Sequence, residues 1–121
     1  MFGFFRRLKY RSECAAVIAQ MTGTDRNAAA KFIEEYKTLF NAGVKNNKRP
    51  IDIVAIVCHT LLKNRAKIED HHLLLCTKVG VAVIDIDPTG MFTESFKNML
   101  TEINNELAAD PLVQEMEGVL K

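Results

Sequence analysis

Six residues of this 121-residue chain have the side chains best suited to metal or nucleophilic chemistry: Cys14, Cys58, His59, His71, His72 and Cys76. On a helix, His72 and Cys76 stand at i and i+4 and could share one ion. Adjacent His71 and His72 would point about 100° apart, and no CxxC or HxxxH spacing anchors a site. The spacing therefore predicts a helix start with one exposed and one half-buried histidine, with Cys76 in the core. It predicts no metal ligand and no cofactor. For nucleophilic catalysis a cysteine needs a positioned base and an oxyanion donor. Cys58 and His59 are sequence neighbours, which on a helix face different directions. No Gly-rich phosphate loop, GxSxG or HExxH occurs. We expect no catalytic residue and no enzyme.

A second group is carboxylic. Asp85-Ile86-Asp87-Pro88-Thr89 follows an apolar run and resembles the first motif of haloacid dehalogenase-type phosphotransferases. The resemblance covers five residues and their lead-in. It implies a strand ending in DxDxT, with Asp85 as nucleophile, inside a multi-stranded parallel sheet. It also implies further Lys and Asp motifs downstream. Only 32 residues follow Thr89, and they read as two helices. The same stretch resembles a calcium loop of the EF-hand type. Asp85, Asp87, Thr89, Gly90, Phe92 and Thr93 match that loop's positions 1, 3, 5, 6, 8 and 9. Position 12 should be a bidentate Glu, and here it is Phe96, with Glu94 two residues early. The expectation is a solvated corner between two helices, without micromolar calcium binding.

The most distinctive stretch is MFGFFRRLKYR, with three phenylalanines and four basic residues in eleven positions. Such a segment suits a partner surface, an anionic membrane or a nucleic acid. Its candidate partner-binding residues are Phe2, Phe4, Phe5, Arg6, Arg7, Leu8 and Arg11. Met1, Phe4, Phe5 and Leu8 form one helical stripe, and Tyr10, Cys14, Val17 and Met21 form another. At about 100° per residue the two point to nearly opposite sides of a straight helix. Both can be covered only if the helix is sandwiched or broken near Lys9–Ser12, or if a two-fold dimer covers the first stripe.

The elements that must position these groups are helical. Residues 1–22 form a helix closed by Gly23. Thr24 or Asp25 caps a second, whose stripe of Ala29, Phe32, Ile33, Tyr36, Leu39 and Phe40 runs to about Asn41, with Gly43 as its stop. Residues 44–49 read as a polar, basic loop. Pro50 opens a third helix, apolar nearly all round and hence central, with Asp52 in its first turn. Asp70–Ile86 reads as one buried helix. The β-branched alternative is a small parallel β unit from residues 51–57 and 79–86, which lacks a third strand. Asp87–Gly90 is a turn. Phe92, Phe96, Met99, Leu100, Ile103 and Leu107 mark another helix, and Asp110-Pro111 begins a short last one.

Residues 1–121 are thus expected to form a single all-α domain, a compact bundle of five or six helices, with residues 1–11 as a basic-aromatic arm. Only six glycines and three prolines are present, too few for the turns of a β-sandwich. No apolar run approaches membrane-spanning length, and no secretory leader is legible. The three scattered cysteines argue against a disulfide framework. A cytoplasmic location follows as an expectation. Residues 1–50 carry ten Lys/Arg against four Asp/Glu, while residues 51–121 carry six against eleven. One end could therefore meet an acidic partner. The leading function class is a non-enzymatic protein-interaction module, such as a small adaptor, inhibitor or immunity-type protein, with an unidentified protein partner or a homodimer. The second is a peripheral membrane or nucleic-acid binder through residues 1–11. The third is a divalent-metal-responsive helical protein through residues 85–94.

Overall fold

A computed structural model describes residues 2–46 and 49–110, with side chains from Leu8 onward. Within them the chain is an all-α bundle of six α-helices: α1 (Phe2–Thr22), α2 (Arg26–Glu35), α3 (Lys37–Asn46), α4 (Pro50–Lys63), α5 (Asp70–Ile86) and α6 (Thr93–Ala109). A single 3-10 turn, Arg65–Lys67, follows α4. The parallel β alternative is corrected, because residues 51–57 and 79–86 lie inside α4 and α5. Neither segment has a strand partner among the described residues. The short helix expected after Asp110 lies outside them.

Local chemistry sets most of the boundaries. Gly23 ends α1 with φ +71°, and its N–H bonds the Ala19 carbonyl at 2.9 Å. The Asp25 carboxylate accepts from the N–H groups of Asn27 and Ala28, at 3.0 and 3.4 Å, and so caps α2. Pro50 occupies the first turn of α4, where its missing N–H costs nothing. Arg49 grips Asp52 there with two bonds, at 2.9 and 3.0 Å.

Helix α4 is the central element. Ile53, Val54, Ala55, Val57, Cys58, Leu61 and Leu62 are all buried on it. It packs against α1, α3, α5 and α6. Cys14, Ala15 and Ile18 of α1 complete the core, with Phe32 and Ile33 of α2, Phe40 of α3, Cys76 and Val79 of α5, and Phe96 of α6.

Helix α1 continues through Lys9–Ser12 and is sandwiched, the first of the arrangements expected, touching α2, α3, α4 and α5. Two expectations are corrected. The helix expected to run from residue 25 to about Asn41 is two helices, hinged at Tyr36 (φ −112°, ψ 31°). There the Tyr36 hydroxyl meets His72 of α5. Gly43 does not stop α3, which continues to Asn46. A Cβ on Gly43 would stand 3.0 Å from Cγ2 of Ile53, so the glycine lets α3 lie close on α4.

The 3-10 turn is stapled to α6. Arg65 donates from Nε to Glu106 at 2.8 Å, from Nη2 to Glu102 at 2.9 Å and from Nη1 to the Leu62 carbonyl at 2.9 Å. A further Nη2 bond to Glu106 makes the grip bidentate. These bonds raise the Arg65 pKa and lower that of Glu106.

Candidate functional site

The N-terminal candidates ride on the first turns of α1. Side chains of Phe2, Phe4, Phe5, Arg6 and Arg7 lie outside the described residues. Leu8 is 45% exposed. Arg11, one turn on, folds back onto the bundle. Its Nη2 donates to Asn41 of α3 at 3.2 Å, and its Nη1 lies 3.5 Å from Glu34 of α2. Its Nε is shut away without a hydrogen-bond partner. The second stripe behaves as its period predicts, with Cys14 buried and Tyr10, Val17 and Met21 packed against the core.

The cysteines are free and buried. Burial, followed by the nearby Glu13 charge, pushes the Cys14 thiol up to about 12. Cys58 is also held well above its ordinary range, first by a hydrogen bond with Cys76 and then by burial. Both remain thiols at neutral pH, the unreactive form. His59 does not serve Cys58. Its ring meets the Phe96 ring edge-on at 5.5 Å, toward α6. Burial, then the Lys63 charge, lowers the His59 pKa, against a backbone hydrogen bond with Ser95.

The aspartate motif is a helix end. Asp85 and Ile86 close α5, Asp87 is its C-cap, and Asp87–Gly90 turns the chain. The Thr93 hydroxyl is buried and donates to the Asp87 carbonyl. Phe96, at the calcium loop's twelfth position, is fully buried. The strand and parallel sheet implied by the phosphotransferase resemblance are absent among the described residues, because Asp85 sits on a helix.

The pairing of His72 with Cys76 is not what the structure assembles, since the Cys76 thiol is in the core. A different set converges at the start of α5. One oxygen of Glu69 and one ring nitrogen each of His71 and His72 lie within 4.8 Å of one another. His71 Nδ1 is 3.4 Å from Glu69 Oε2. His72 Nδ1 is 2.7 Å from the Tyr36 hydroxyl, and the His72 ring meets Phe32 and Tyr36 edge-on at 5.6 and 5.1 Å. Burial, followed by the Cys76, Glu35 and Glu69 charges, raises the Tyr36 pKa and keeps it a phenol. Sequence reasoning missed Glu69 because it treated the histidines as points on a helix face. The available signal was an acidic residue just before two histidines at a helix N-terminus, where side chains can turn back over the cap.

Compared with protein-family models, curated proteins and solved structures, the chain matches none of them. Among the described residues, no helix is long and apolar enough to cross a membrane.

Proposed function

We propose that this protein is a non-catalytic protein-interaction module that docks through the first turns of α1. The surface comprises Phe2, Phe4, Phe5, Arg6, Arg7 and Leu8, bordered by Arg11, which is tied to Asn41 and Glu34, with a second copy of the chain as the simplest partner. One observation carries the reading: Leu8, the described member of the first α1 stripe, stands 45% exposed on a helix that continues through Lys9–Ser12. An aromatic-rich helical end with such a flank gains by being covered, because burying each phenylalanine is worth roughly 1.5–3 kcal/mol. The free, buried thiols suit a reducing compartment, and we place the module in the cytoplasm.

Sedimentation equilibrium of the full chain, at low and high salt, is the test. We expect a dimer that persists in high salt and becomes monomeric in the variant Phe4→Asp/Phe5→Asp. The loss of two buried rings should weaken association more than about a hundredfold. A monomeric parent as stable as the double variant removes the reading. Binding to anionic vesicles or RNA that collapses with salt would replace it with the membrane or nucleic-acid alternative.

A further inference from the structure

The start of α5 carries a second inference, independent of the N-terminal one. Two histidines adjacent in sequence would be expected to diverge on a helix, yet the rings of His71 and His72 have centroids only 4.0 Å apart. Glu69 is the N-cap of α5, but its side chain makes no capping bond, so its carboxylate is available to a cation. Its oxygen and the two ring nitrogens lie within 4.8 Å of one another. A divalent ion bound at about 2.0–2.2 Å to each of three such atoms would set them roughly 3–4 Å apart. Glu69 and His71 are each 70% accessible, so their side chains are free to rotate toward that spacing.

The third group is already held. The 2.7 Å contact between His72 Nδ1 and the Tyr36 hydroxyl orients the ring. It leaves Nε2 as the ligand nitrogen. With a metal on Nε2, Nδ1 carries the proton and donates to the Tyr36 oxygen. Metal-binding histidines almost always have an outer partner of this kind. Lys31 and the positive end of the α5 dipole oppose a cation here. The carboxylates of Glu69, Asp70 and Glu35, the last lining the same groove, outnumber them.

We propose that Glu69, His71 and His72 form a surface site for a borderline divalent transition-metal ion such as Zn2+, with Tyr36 as the outer partner of His72. Two imidazoles and one carboxylate suit such an ion, whereas Ca2+ and Mg2+ take oxygen ligands. The exposure of Glu69 and His71 leaves the remaining coordination positions to water or to a partner's side chain.

Calorimetric titration of the full chain with zinc chloride tests this, with calcium chloride as the control. We expect one equivalent of Zn2+ at micromolar affinity and no calcium isotherm. His71→Ala should weaken Zn2+ binding more than tenfold, and this variant is decisive because the exposed His71 ring does not support the fold. His72→Ala should do the same, with circular dichroism to check folding. Tyr36→Phe should cost about tenfold, the usual penalty for losing an outer-shell partner. Absence of a zinc isotherm would overturn the proposal and leave Glu69 and His71 as a surface contact. So would zinc affinity unchanged in His71→Ala, or calcium binding as tight as zinc.

Discussion

Helix α5 has two regions made on opposite principles, its middle and its first turn. Its middle turns are dry and tight: Val79 and Gly80 are buried, and Phe96 of α6 lies directly on the glycine. Its first turn is open and polar, with Glu69 and His71 in solvent and only His72 anchored, through one hydrogen bond to Tyr36. In the packed middle, shape decides which residue fits, and a methyl group is a large perturbation. At the open end, polar groups can rearrange with little loss of stability, which leaves them free for binding chemistry. The two interior-facing histidines follow the same division. His59 is pressed beneath Phe96 and held neutral by burial, while His72 reaches a groove and a tyrosine hydroxyl.

The comparison can be broken most forcefully at Phe96. Its ring is fully buried between Gly80 and His59. Phe96→Ala should destabilise the protein by about 3–5 kcal/mol in urea denaturation. A loss below about 1 kcal/mol would mean that the middle of α5 is loosely packed. Gly80→Ala is a subtler test. Its new Cβ would stand 2.8 Å from Cδ1 of Phe96, a clash with a ring that has nowhere to go. Overpacking costs about 1–3 kcal/mol, and the helix propensity gained returns about 1 kcal/mol, so a net loss of roughly 1 kcal/mol is expected. In a Phe96→Leu background the same change should cost less or become stabilising, because the clashing atoms are gone. Equal costs in both backgrounds would show that the two positions are not coupled.

The smallest expected effect is a pH dependence. The folded-state pKa of His59 is below its ordinary 6.5, so the unfolded chain takes up that proton first. The associated stability is complete above about pH 6.5 and is lost as pH falls toward the lower folded value. Urea midpoints measured from pH 7.5 to 4.5 should fall less steeply for His59→Gln than for the parent. Parallel curves would show that His59 titrates alike in both states.

Much of this architecture is legible in the residue order, because helices are local. A 3.6-residue apolar period, a proline at Pro50, a carboxylate at Asp25 and a glycine at Gly23 act within one or two turns, and each does in the structure what its chemistry requires. The apolar circumference of Ile51–Leu62 likewise determined that α4 would be the central helix, since a helix without a polar face must be covered on all sides. What tertiary structure alone decided depends on residues far apart in the chain. The break at Tyr36 places a hydroxyl against His72, and nothing in the continuous stripe from Ala29 to Phe40 announces it. Gly43 reads as a helix stop until Ile53 is brought against it. Arg65 finds Glu102 and Glu106 only when α6 folds back along the end of α4. The convergence of Glu69, His71 and His72 depends on side-chain torsions at a helix cap, and that of His72 is set by Tyr36 and by Phe32 of α2, not by spacing.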